Sequence, residues 1–236
     1  MVLRGRQLGE ADRIFTLFTT ESGKLDAVAK GVRRAKSHLA GRLEFGNECE
    51  FGMHRGRSLD VIVSADIVHA PWTKLVEPER FAIASLVAEL IDGFCEPDLA
   101  MPETYALLTA MLAAVERSSR PRELVPRFSL RLLEVLGLAP PADRCVRCER
   151  ELAPETAWLD AQAGGLIDER CRERWRDLPA FDEHDRENFR ALCAPIGAAP
   201  AMRATPRVAR AVEELLSHHL GRRPKAREHF SELVPG

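Results

Sequence analysis

Arg13-Ile14-Phe15-Thr16-Leu17-Phe18-Thr19, followed by Glu21-Ser22-Gly23-Lys24, is the stretch that decides the fold. Its β-branched and aromatic residues recur with a period near two, the spacing of a strand that buries one face. Gly23 offers a residue free to take positive φ in the turn that follows. Beyond the turn, Leu25, Ala27 and Ala29 alternate with Asp26, Val28 and Lys30 until Gly31 interrupts them. Working outward, Glu48-Cys49-Glu50-Phe51 and Leu59-Asp60-Val61-Ile62-Val63 are further short runs, separated by His54-Arg55-Gly56-Arg57. Several short strands with tight turns and no long helical pattern predict a small closed or partly closed β-barrel over residues 1–75.

Around Pro71 the pattern changes from strand to helix. Glu77-Pro78-Glu79-Arg80 opens a helix with acids in its first turn, and Phe81, Leu86, Leu90, Ile91 and Phe94 form its apolar side. Pro102-Glu103 opens a second helix. A third is expected from near Glu123 to Leu136, ending at Gly137, with Pro126 either in its first turn or producing a kink. Phe181–Cys193 reads as a helix, and Thr205-Pro206 supplies the N-cap and first residue of another that runs to Leu220 and stops at Gly221. A short last helix is expected near Lys225–Phe230. The fold class is therefore α+β and multidomain: a barrel at 1–75, then an α-helical domain at 76–236 with a small insertion at about 143–178.

A chain of 236 residues with 45% hydrophobic and 30% charged residues has the make-up of a globular protein with one large or two modest cores. No stretch has the apolar length of a membrane span. The N-terminal Met1-Val-Leu-Arg-Gly-Arg lacks a secretory hydrophobic region, which makes the cytoplasm the expected compartment. The six cysteines then read as thiols or metal ligands in preference to disulfides. The net charge of −2 does not suggest a nucleic-acid partner, but its distribution does. Lys24, Lys30, Arg33, Arg34 and Lys36 fall in one short stretch whose single acid is Asp26. A solvated basic loop and a phosphate-binding patch both fit that stretch, with Arg55 and Arg57 as outer contributors to the second.

Cys145-Val-Arg-Cys148 and Asp168-Glu-Arg-Cys171, with Gly164-Gly165 between them, have the spacing of a zinc ribbon. Zinc organises such a module because it joins two turns too poor in apolar residues to fold alone, and segment 143–178 looks charged and short of large apolar residues. Asp168 stands where a third cysteine is usual. Two readings stand open: a Cys3Asp site for one structural Zn²⁺, with His184 as a less well placed substitute, or a ribbon that keeps its fold without metal. A redox role for Cys145 and Cys148 would need the pair at a helix N-terminus after a strand, and here it follows Leu138-Ala139-Pro140-Pro141. Cys49 and Cys95 read as core residues and His218-His219 as surface. No catalytic signature is present, neither a His-Glu-x-x-His, nor a Gly-x-Ser-x-Gly, nor a phosphate-binding loop. The chain is not expected to be an enzyme.

Taken together, these motifs resemble a known family. Gly9-Glu10-Ala11-Asp12-Arg13-Ile14-Phe15-Thr16-Leu17-Phe18-Thr19, Gly23-Lys24 and Ala29-Lys30-Gly31-Val32-Arg33-Arg34-Ala35-Lys36-Ser37 are similar to the opening of the bacterial recombination mediator family RecO. Phe128-Ser129-Leu130-Arg131-Leu132-Leu133-Glu134-Val135-Leu136-Gly137-Leu138-Ala139-Pro140, leading into Cys145 and Cys148, is similar to its later part. The resemblance covers almost the whole chain in the expected order. It implies an N-terminal OB-fold, a helical domain and a zinc-ribbon insertion, in a non-enzymatic DNA-repair protein. Family members bind single- and double-stranded DNA and anneal complementary strands coated with single-strand-binding protein, whose C-terminal tail they contact. With RecR they help RecA replace that coat, acting in the cytoplasm at the nucleoid. Two features depart from the family: Asp168 at a cysteine position, and a start so close to the first motif that a short or truncated first strand is expected.

Phosphate contacts are expected at Lys30, Arg33, Arg34 and Lys36, with Lys24, Arg55 and Arg57 further out. Aromatic partners for bases are few: Phe45 and Phe51 are candidates, whereas Phe15 and Phe18 belong to the core. The competing functions are a protein-interaction scaffold with incidental DNA affinity and, in another class, a Cys-x-x-Cys thiol oxidoreductase.

Overall fold

The computed structural model describes residues 1–153, 155–173, 177–194 and 202–226. It divides into two compact units, one of Met1–Arg117 with Lys225 and Ala226, the other of Ser118–Pro224.

In the first unit, β1 (Val2–Leu8), β2 (Asp12–Thr19), β3 (Gly23–Ala29), β4 (Glu48–His54) and β5 (Asp60–His69) form one sheet in the order β1-β2-β3-β5-β4. The alternation read in the sequence is the cause. Phe15, Leu17, Leu25, Ala27 and Ala29 point to a common core with Cys49, Ile62 and Ala65. Val32, Leu39 and Leu43 from the long β3–β4 connection join that core. β3 and β5 pair in parallel at Ala27–Asp60 and Val28–Val61, and the other neighbours are antiparallel. This is the partly open, five-stranded arrangement of an OB-fold. Among the described residues no β1–β4 ladder closes it, but two backbone bonds approach closure: Val2 donates to Asn47 O at 2.9 Å, and Gly46 donates to Val2 O at 2.9 Å. β1, expected to be short, is seven residues long and pairs along β2 from Val2 to Leu8.

A four-residue turn of helix, α1 (Trp72–Leu75), leads into α2 (Pro78–Phe94) and α3 (Pro102–Arg117). Both longer helices start at the proline read from the sequence, where a missing N–H costs nothing. They pack within the sheet unit. Phe18 of β2 stacks on Tyr105 of α3, with ring centroids 6.1 Å apart.

In the second unit, the expected third helix is two pieces: a 3₁₀ turn at Pro121–Leu124 and α4 (Val125–Val135). Pro126 sits in the first turn of α4, which is why the helix begins there and is not kinked. The small sheet β7-β6-β8 comprises β6 (Ala157–Asp160), β7 (Gly165–Ile167) and β8 (Ala180–Phe181). Phe181, expected to start a helix, lies in β8 and pairs with Ala157. The helix α5 (Glu183–Cys193) begins after it because the Asp182 side chain accepts the Asp185 N–H and caps it. α6 (Pro206–Leu220) matches the sequence reading at both ends. Thr205 accepts the Val208 N–H, and Gly221 closes the helix at φ 71°. α4, α5 and α6 bury Phe128, Leu132, Phe189, Leu192, Val212 and Leu215. The helix expected near Lys225–Phe230 lies, beyond Ala226, outside the described residues. Among the described residues, no helix is long and apolar enough to cross a membrane.

Candidate functional site

The basic residues fall into two groups at opposite ends of β3. Lys30, Arg33, Arg34 and Lys36 are exposed at the start of the β3–β4 connection. The backbone that carries them is pinned to the β1–β2 turn. Gly31 donates to Asp12 Oδ1 at 2.7 Å, and Arg33 donates from its backbone N–H to Ala11 O and from its guanidinium to Glu10 O, both at 3.0 Å. Gly31 adopts φ 65°, a left-handed conformation that turns the chain out of β3. Lys30, Arg34 and Lys36 have no ion-pair partner among the described residues. Three solvated cations on a pinned loop can neutralise phosphates without first breaking bonds within the protein.

The other end of β3 differs. Lys24, read as an outer contributor, is largely buried and committed to α2: its ammonium donates to Asp92 O at 2.5 Å and lies 3.6 Å from Asp92 Oδ1. Arg4 also pairs with Asp92, at 2.9 Å. Arg55 and Arg57, on the β4–β5 turn, are exposed and unpaired among the described residues, and they border the same cleft as Lys24 together with Asp26, Asp60 and Asp98. The structure thus joins Lys30, Arg33, Arg34 and Lys36, separates Arg55 and Arg57 from them, and withdraws Lys24.

The outer face of strands β2 and β3, which OB-folds commonly use for oligonucleotides, is largely occupied here by the protein itself. Thr16 donates to Asp26 Oδ1 at 2.5 Å, Arg6 pairs with Asp26 at 3.3 Å, and Phe18 is covered by Tyr105. Tyr105 in turn donates to Glu48 at 2.8 Å, and burial together with that bond pushes its phenol above the usual range. Nor are the two aromatic candidates free for bases. Phe45 meets Phe81 edge-on at 5.5 Å, and Phe51 packs against the barrel core. The sequence reading missed His38, which is exposed beside the cations with its Nε2 3.1 Å from Val63 O. Its position right after Lys36-Ser37 was the available signal.

The cysteine cluster forms as expected. One ligand atom each from Cys145, Cys148, Asp168 and Cys171 lies within 4.8 Å of all the others. Tetrahedral Zn–S bonds of about 2.3 Å place sulfurs about 3.8 Å apart, so the set fits one ion with small adjustments. Burial raises the Cys145 thiol, but hydrogen bonds from the backbone of Asp168, Arg147 and Cys148 outweigh it and leave this thiol below its ordinary value. Asp168 is likewise held below the usual carboxylate range: burial opposes, and the Cys148 thiol and Cys171 N–H prevail. Cys171 moves the other way, to about 12, from burial first and then from its neighbours. Four protein donors leave no coordination position for a substrate. His184 is exposed on α5 and is not part of the cluster. Cys145 and Cys148 sit in a turn, not at a helix N-terminus. Burial raises Cys95 to about 11 and Cys193 to about 12, which leaves both poor nucleophiles.

The ribbon is not short of apolar residues, contrary to the reading of segment 143–178. Leu152, Trp158, Leu159, Leu166 and Ile167 are all buried, and Phe181 meets Phe189 of α5 edge-on at 5.9 Å.

Residues 1–71 match the family model described as Recombination protein O N terminal, and residues 76–228 match Recombination protein O C terminal. A protein of Dehalococcoides mccartyi named DNA repair protein RecO is 28% identical over 179 residues, covering 76% of this chain and 71% of that protein. One of the same name from Desulfitobacterium hafniense is 33% identical over 176 residues, covering 73% of this chain and 63% of its own length. The match to that second relative therefore spans less than two thirds of it.

Proposed function

The chain belongs to the RecO family of DNA repair proteins, and from that premise we propose that it is a non-enzymatic mediator that binds single- and double-stranded DNA and anneals complementary strands coated with single-strand-binding protein. The observation that carries this reading is the group Lys30, Arg34 and Lys36, unpaired among the described residues on a loop pinned through Gly31 and Arg33. Annealing requires two polyanions to approach. Cations that hold the backbones lower that barrier, while base pairing between the strands supplies the sequence information. With the aromatic candidates packed inside, phosphate contact dominates over stacking and gives little sequence preference. The partners of this reading are DNA, RecR, the C-terminal tail of single-strand-binding protein and, indirectly, RecA, in the cytoplasm. One Zn²⁺ held by Cys145, Cys148, Asp168 and Cys171 would be structural, tying the two cysteine turns together.

The test is the triple variant Lys30→Glu, Arg33→Glu, Arg34→Glu, assayed for annealing of coated complementary strands at several salt concentrations. Annealing is expected to fall at least about tenfold, and the log–log salt slope of single-strand binding by about 2, at about 0.7 per lost phosphate contact. Unchanged annealing and slope in a folded variant would refute the assignment.

A further inference from the structure

Small metal ribbons are unfolded without their ion when they have no core of their own, because the binding free energy is then the folding free energy. This ribbon is built differently. Its sheet buries Leu152, Trp158, Leu159, Leu166 and Ile167, and Phe181 anchors it on α5. The first cysteine turn closes on itself: Cys145 donates to Arg150 O at 2.9 Å, Glu149 to Cys145 O at 2.8 Å and Leu152 to Asp143 O at 2.9 Å. Val146 then donates to Leu166 O at 2.9 Å, joining that turn to the strand that leads into the second. Gly165 permits this approach, since a Cβ there would lie 2.7 Å from Val146 Cγ1. Arg147 reaches the fully buried Asp160 at 2.7 Å, and Asp160 also accepts the N–H groups of Gln162 and Ala163.

What remains is the contact between the two cysteine turns themselves, and the Asp168 side chain contributes one hydrogen bond to it. Its Oδ1 accepts the Cys171 N–H at 2.8 Å, which orders the second turn, and its Oδ2 accepts from the Cys148 thiol at 3.3 Å, which reaches the first. A cysteine at this position would be a weak acceptor for either donor. The carboxylate thus supplies, through its bond from the Cys148 thiol, a cross-link that an all-cysteine site would leave to metal. We propose that Asp168 is a positioning residue that orders the second cysteine turn through the Cys171 N–H and ties it to the first through the Cys148 thiol, so that the ribbon keeps its fold with or without bound Zn²⁺. The ion, when present, adds bonds to a framework that already stands.

The test uses the full chain in two zinc-free forms, each verified by elemental mass spectrometry. One is the wild type dialysed against EDTA under reducing conditions. The other is the double variant Cys148→Ser, Cys171→Ser, which removes two thiolates while the serine hydroxyl at position 148 still donates to Asp168. Hydrogen exchange is read at the Val146 and Leu159 amides. Protection within about threefold of the zinc-loaded wild type is expected in both forms, as for a unit that stays closed. Adding Asp168→Ala to the double variant should speed Val146 exchange at least about tenfold, the loss expected for hydrogen bonds to a charged acceptor. Asp168→Asn, which keeps an acceptor but loses the charged metal ligand, should restore most of the protection. Protection retained in either zinc-free form, together with faster Val146 exchange on adding Asp168→Ala, supports the proposal. Its loss in both, or an Asp168→Ala change that leaves Val146 unaffected, overturns it.

Discussion

Lys24 and Lys30 stand near the two ends of β3, with the same side chain and opposite fates. Lys30 is exposed and unpaired among the described residues, whereas the Lys24 side chain is 15% exposed and bonded to Asp92. In the sequence they belong to one basic stretch with a single acid between them. The fold brings Asp92 onto the Lys24 ammonium, delivered by α2 from far along the chain, whereas Asp12 at the other end accepts the Gly31 N–H and does not pair with Lys30. A run of like charges along a chain therefore overstates the charge available at a surface. What remains for a polyanion is what the protein has not already neutralised.

The end of β3 that carries Lys24 is expected to be the structurally sensitive one, most sharply at Gly23. This residue has φ 63°, and a Cβ added to it would lie 1.7 Å from the Leu99 carbonyl oxygen, a backbone atom that cannot swing away. The strand edge there is paired with the α2–α3 connection, through the Lys24–Pro97 bridge and the Asp98 N–H donated to Lys24 O at 2.8 Å. Gly23→Ala should cost about 3 kcal/mol or more in unfolding free energy, combining strain at positive φ with overpacking. Chemical denaturation measures it. A cost below about 1 kcal/mol would mean that this end of the strand is as permissive as the other.

Lys24→Ala comes next. Its ammonium is shielded from solvent and donates to a backbone carbonyl beside a carboxylate, so removal should destabilise by about 1.5–3 kcal/mol. The salt slope of DNA binding should not change, because this cation is already committed. A slope reduced by about 0.7 in the variant would show that Lys24 also holds a phosphate and would dissolve the contrast between the two ends.

The same contrast explains what could be read in advance. β2 and β3 were legible because Phe15, Leu17, Leu25 and Ala27 alternate with polar or differently facing neighbours, and α6 because Thr205-Pro206 and Gly221 mark both its ends, whereas the seven residues of β1 precede the alternating pattern. The four cysteine-cluster residues were legible because the contacts that bring them together are short-range turns. Phe181 was misread: an apolar residue just before a helical pattern fits either element, and the decisive Asp182 cap lay one position on. The ribbon core escaped notice because Trp158, Leu159, Leu166 and Ile167 lie on strands of four and three residues, too short for a period to emerge. The pairing of Lys24 with Asp92, and of Phe45 with Phe81, joins residues distant in sequence and has no local signature.

Arg55 and Arg57 are the intermediate case and give the smallest expected effect. They are exposed and unpaired like Lys30, yet they lie on the β4–β5 turn beside the cleft that holds Asp26, Asp60, Asp92 and Asp98. Those carboxylates lower the local positive potential that a phosphate would meet. The double variant Arg55→Ala, Arg57→Ala should leave stability within about 0.5 kcal/mol, as expected for exposed side chains without partners. It should lower the salt slope of single-strand binding by less than about 1.4, the value for two full phosphate contacts. A loss of 2 or more, equal to that of the Lys30, Arg33 and Arg34 reversal, would place the DNA path across the β4–β5 turn. The two ends of β3 would then form one continuous track, with the acids of the cleft displaced from it on binding.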